Sequence, residues 1–211
     1  MFSQLQEEFI KQYCRDKNLR VELVFKRPRK TKLGDHRWDE ERKTSLITVN
    51  TDPNHDRLFF VTLHELAHAY VCQTYVNWKE RNIFTGQRLI APHGKEWQNA
   101  FGFLIHEAVQ ADLFSQELVP ALNRHALSPK ANTHSDPFLL EALRKFDTPE
   151  VQTQTTTLLV KDLNYGDHFF IQGNTKRYQL LELRRTRYLC KDDHGKEFTI
   201  SSMAAVGRAP K

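Results

Sequence analysis

Two histidines and a glutamate, His64, Glu65 and His68, sit inside the run LFFVTLHELAHAYVC at 58–72. Polar groups in so apolar a stretch are costly to bury unless a partner satisfies them. On a helix, residues four apart lie about 40° apart around the axis and one turn up, so His64 and His68 present their imidazoles side by side. That pair suits two nitrogens on one metal ion. Glu65 lies about 100° round from His64, where it can reach a water at the metal as a general base without being a ligand.

A catalytic zinc takes three protein ligands and leaves one position for water. Position 74 is Thr, which excludes a third histidine six residues after His68. His93 is the candidate. With Trp97, Ala100, Phe101, Leu104 and Ala108 it recurs in steps of three or four, and so shares the apolar stripe of a helix expected over 92–110. Glu80, in a polar loop, and Glu96, about 60° round from His93, are the rivals. One catalytic Zn2+ on three histidines, with Glu65 taking the proton of an attacking water, describes hydrolysis of an amide in a protein or peptide substrate. The alternative is a nucleic-acid or protein-binding adaptor whose zinc is structural and closed by a fourth protein ligand.

These residues need elements to position them. Phe2, Leu5, Phe9 and Tyr13 predict an amphipathic first helix over 2–14. Alternation at Leu19, Val21, Leu23 and Phe25 predicts a strand, followed by a second over 31–38 interrupted by Gly34 and a third at 45–49. Asp56 is the expected cap of the metal-site helix, which runs to about Tyr75, and Leu46 to Asn50 are expected to line a peptide cleft. Core packing is the expectation for Tyr70 and Trp97. Residues 113–157 hold Pro120, Pro129, Pro137 and Pro149 and read as a connector with one short helix over 138–146. From 158 to 211 short strands punctuated by Gly166, Gly173-Asn174 and Gly195 predict a second, all-β domain, a small SH3-like barrel. The fold class is therefore α+β, with a helical and three-stranded domain over 1–112.

Charge is uneven along the chain. Residues 1–50 carry 12 basic against 8 acidic side chains, and 156–211 carry 10 against 6. Arg27, Arg29, Lys30 and Lys32 near one end, and Arg184, Arg185 and Arg187 beside Tyr188 near the other, are the candidate nucleic-acid-binding residues. Cys14, Cys72 and Cys190 are too few and too scattered for a disulfide framework. No leader pattern and no run of about 18 apolar residues is present, so the expectation is an unexported, cytoplasmic protein with no membrane partner.

HELAHAY at 64–70, preceded by an apolar strand ending in Asn50 and followed by His93-Gly94-Lys95-Glu96-Trp97 at the start of a helix, resembles the SprT-like metalloprotease domain, which includes the Spartan proteases. The resemblance covers about residues 5–110. It implies zincin-like helices packed on a small sheet, with His64, His68 and His93 as zinc ligands and Glu65 as catalytic base. It also implies substrates that are proteins crosslinked to or held on DNA, with single-stranded DNA or DNA–protein complexes as partners. The C-terminal part departs from the pattern, because many bacterial members end in a zinc ribbon with paired cysteines and Cys190 stands alone here.

Overall fold

The computed structural model describes residues 2–27, 32–52, 54–75, 78–131, 136–147, 158–171, 174–185 and 187–208. The chain divides into two compact units, Met1–Asp147 and Thr148–Lys211. Helices and two small sheets make it a mixed α+β protein.

Helix α1 (Gln4–Asp16) opens with Ser3, whose hydroxyl accepts from the amide of Gln6 while the Gln6 side chain returns to Ser3, so two orphan amides are satisfied at once. Ile10 and Tyr13 on its inner face are buried. Strands β1 (Val21–Lys26), β2 (Gly34–Asp39) and β3 (Thr44–Asn50) form a sheet in the order β1-β3-β2. The central β3 runs parallel to β1 and antiparallel to β2. It is thus enclosed on both sides, and β2 is an edge strand. The expectation that Leu46 to Asn50 line the cleft fails for this reason: a strand paired twice has no free backbone edge to offer, and the cleft wall is β2.

Helix α2 (His55–Thr74) buries 13 of its 20 residues, including Leu58, Phe59, Leu63 and Leu66, so it is a core helix surrounded on most sides. Its cap is Asn54, whose side chain accepts from the Arg57 amide; Asp56 instead accepts from the amide and hydroxyl of Ser115. Helix α3 (Lys95–Gln110) packs on α2 through Trp97, Phe101, Leu104 and Ile105, all fully buried. Helices α4 (Val119–Ala126) and α5 (Pro137–Arg144) complete the layer. Gly102 of α3 lets α4 in, since a Cβ there would lie 2.5 Å from the Ala126 carbonyl oxygen.

The first unit therefore extends past the boundary near 112 read from the prolines. Leu118, Leu122, Leu139 and Leu143 belong to the same core as α2 and α3. Pro120 and Pro137 each stand in the first turn of a helix, where a missing amide costs nothing, so they start structure and do not break it. A buried polar clamp fastens this segment to α2: Arg57 pairs with Asp52 at 2.7 Å and Asp147 at 2.7 Å, and Asn54 donates to the Leu143 carbonyl at 2.7 Å.

The second unit is a five-stranded antiparallel sheet in the order β7-β6-β5-β4-β8, made of β4 (His168–Ile171), β5 (Arg177–Arg184), β6 (Arg187–Asp192), β7 (Glu197–Ser201) and β8 (Val206–Arg208). Val160, Phe169, Leu180, Cys190 and Ile200 form its own core. Leu159 makes an isolated bridge to Ala205, and a 3-10 turn, Val160–Asp162, begins at the last residue of the strand expected over 158–160. Gly173 lies outside the described residues. Cys14, Cys72 and Cys190 are free thiols, and among the described residues no helix is long and apolar enough to cross a membrane.

Candidate metal centre

His64 and His68 stand one turn apart on α2, with ring centroids 5.1 Å apart. His93 meets them from the turn before α3. It precedes the N-cap Gly94, so it is not in the first helical turn as its spacing suggested, yet it points to the same place. The His93 Nε2 lies 3.1 Å from His68 Nε2 and 3.4 Å from His64 Nε2. Among the described residues, these three form the one group of ligand atoms close enough to share a metal ion. Glu80 is exposed, and neither it nor Glu96 joins the group. His106 is exposed and faces away, as its helical phase required.

The donor set fits zinc. Burial, reinforced by the neighbouring imidazoles, holds His64 down to about 3 and His68 down to about 2, and burial also lowers His93. All three rings are therefore neutral at neutral pH and carry a lone pair for a cation. Tetrahedral zinc with Zn–N bonds of about 2.0–2.1 Å sets ligand nitrogens about 3.3–3.4 Å apart, close to the spacing here.

Trp97 holds the three rings together. It is fully buried, its centroid lies 4.7, 5.5 and 4.6 Å from those of His64, His68 and His93, and its Nε1 donates to the His64 carbonyl at 3.3 Å. Core packing describes it correctly, but the core it packs is the ligand set itself.

These histidines and Glu65 line a cleft of about 920 Å³ together with β2 residues Gly34 to Trp38. Glu65 is 6% exposed. A Cβ on Gly34 would stand 2.6 Å from Glu65 Oε1, 2.8 Å from its Cγ and 2.9 Å from Val61 Cγ1, so the carboxylate is seated against bare β2 backbone. Gly34, an interruption in the strand pattern, is where the fold brings β2 against this carboxylate. A lone glycine in a strand pattern is the signal that could have found it, because it marks close approach of another group.

His36 was also missed. It lines the cleft from β2, its ring stacked on that of His68 at 6.2 Å and 15°. Its Nε2 lies 2.9 Å from Ser45 Oγ, and Gln73 Nε2 donates to the same oxygen at 2.8 Å. Burial pushes His36 down to about 4, against a smaller opposing pull from Asp35.

The expected nucleic-acid residues fall on both units, as two separate groups. Arg27 is exposed on the first unit, and Arg29 and Lys30 lie outside the described residues. Lys32 borders the cleft and pairs with Asp35 at 2.7 Å. Arg184, Arg185 and Arg187 flank the β5–β6 turn of the second unit, where Arg185 takes a φ of 45° and Arg184 is paired with Glu182 at 2.8 Å. Compared with protein-family models, with curated proteins and with solved structures, the chain shows no match.

Proposed function

We propose that the first unit is a zinc-dependent endopeptidase of the SprT-like, zincin-like type that cleaves proteins held on or crosslinked to DNA. The observation that carries this reading is the grouping of three imidazole nitrogens close enough to share one ion, with Glu65 beside them in the lining of a cleft. The same arrangement favours a catalytic over a closed structural site, because the three histidines line the cleft and, among the described residues, no fourth ligand joins them.

His64, His68 and His93 would hold the ion, and Trp97 keeps their rings in place. Bound there, zinc supplies Lewis acidity for a water and for a peptide carbonyl. Glu65 accepts the proton of the attacking water and passes it to the leaving nitrogen. Gly34 fixes where that carboxylate sits. The outer edge of β2, unpaired among the described strands and part of the cleft lining, receives an extended peptide by backbone hydrogen bonds.

The second unit, five short antiparallel strands around one core, is read as an SH3-like barrel whose Arg184–Arg187 turn meets a phosphate backbone. The test is cleavage of a DNA-bound protein by the full chain, before and after chelation. Activity should vanish with the chelator, return with zinc, and rise with single-stranded DNA. Zinc-independent cleavage, or none with zinc and DNA present, would reject the peptidase; indifference to DNA would reject only the substrate class.

A further inference from the structure

The hydrogen bonds behind His36 run in one direction only. Gln73 is clamped by the Arg20 backbone, accepting from the Arg20 amide at 3.0 Å through Oε1 and donating to the Arg20 carbonyl at 3.0 Å through Nε2. A flipped amide would face oxygen to oxygen and nitrogen to nitrogen, so its orientation is fixed. The second Nε2 hydrogen then goes to Ser45 Oγ. Ser45 is fully buried. Its one remaining neighbour is His36 Nε2 at 2.9 Å.

If His36 donated to Ser45, the serine hydroxyl would carry a buried hydrogen with no acceptor, an arrangement that folded proteins avoid. If Ser45 donates to His36, every group is satisfied. The neutral ring then bears its proton on Nδ1. Among the described residues the buried side-chain nitrogens without a partner are His125 Nε2 and Arg177 Nε. His36 Nδ1 is neither, and His36 is part of the cleft lining.

We propose that the Gln73–Ser45–His36 chain locks His36 as an Nδ1–H donor in the cleft wall, where it hydrogen-bonds the carbonyl oxygen of the bound peptide as negative charge builds on it. His36 is then a catalytic residue, while Ser45 and Gln73 are positioning residues that act through it. The substrate contact rests on the peptidase reading; the tautomer does not.

The experiment uses the zinc-loaded full chain labelled with 15N-histidine. At neutral pH, imidazole NMR should show His36 protonated on Nδ1 and bare on Nε2, with the resonance identified by its loss in His36→Phe. Ser45→Ala should let the tautomer shift. Protonated Nε2 in the wild type would overturn the lock. In cleavage of an unfolded protein, His36→Phe should keep its zinc and its KM while kcat falls roughly a hundredfold, the scale of one preorganised oxyanion donor. Ser45→Ala should lose about tenfold, the scale of one hydrogen bond. The double variant should fall no lower than His36→Phe, whereas a merely structural role would give additive losses. Unchanged kcat in His36→Phe would remove the substrate contact. A wild-type chain that cleaves nothing rejects the peptidase and the contact together, and the NMR signal still decides the tautomer.

Discussion

The histidine wall of the first unit and the arginine turn of the second are built on opposite terms. His64, His68 and His93 are half-buried and packed against Trp97, whereas Arg184, Arg185 and Arg187 stay exposed on a turn between paired strands. Withdrawing imidazoles from water costs free energy that only a specific partner offsets. Hydrated arginines pay no such cost, so their clustering carries much less information about a ligand. Burial of a polar group is the stronger argument for chemistry.

The first way to break this contrast is to remove a ligand. His68→Ala or His93→Ala should leave a chain that no longer retains stoichiometric zinc through dialysis, read by metal analysis, while the triple Arg184, Arg185 and Arg187 charge reversal should retain it fully. Next in size is the clamp that ties α5 to α2. Arg57→Met removes the cation paired with the nearly buried Asp147, and the stability of the first unit in urea should fall by about 3–5 kcal/mol, the scale for breaking a buried pair. Gly34→Ala comes third. Overpacking against Glu65 and Val61 should cost about 1–3 kcal/mol, and less in a Glu65→Ala background, where the 2.6 Å clash is gone.

A pH dependence sharpens the same contrast. His125 is buried between Phe60 and Phe101 with Asp136 at 2.7 Å from its Nδ1. Burial outweighs the carboxylate and holds its pKa below the ordinary 6.5. Between the folded value and 6.5 the unfolded chain binds the additional proton, so this contribution to stability is complete above 6.5 and is lost as pH falls below it. The slope is at most about 1.4 kcal/mol per pH unit for one proton. Wild type and His125→Phe should therefore differ in the pH dependence of their urea midpoints across that window, with the variant the flatter; identical slopes would contradict it. The smallest effect belongs to the arginine turn, where charge reversal should move stability by no more than about 0.5 kcal/mol. Any nucleic-acid binding should lose salt dependence by about one unit of slope for each phosphate contact removed.

Much of the site could be read from spacing because helical geometry is local. A step of four fixes His64 beside His68 whatever surrounds them, and the three-and-four rhythm through Trp97 and Phe101 brought His93 to the right face although Gly94 starts the helix one residue later. Contacts between distant elements were not legible in that way. Gly34 looked like an interruption because its partner, Glu65, lies 31 residues on and is joined to it only by the fold. His36, Ser45 and Gln73 belong to β2, β3 and α2, and no single period connects them. Prolines misled in the segment 113–147, since the same residue that ends a helix also starts one, and only the burial of Leu122, Leu139 and Leu143 tells the two apart. In the second unit alternation places β4 to β7 closely, and the 3-10 turn at Val160–Asp162 escapes because three residues are too few for a period to show.

The central claim, that this cleft hydrolyses peptides with Glu65 as its base, is tested most directly by comparing wild type with Glu65→Gln at matched zinc content. The account predicts equal zinc in both proteins and a loss of cleavage by at least about a thousandfold in the variant, within the range for a general base. Equal cleavage by the two zinc-loaded proteins would contradict it.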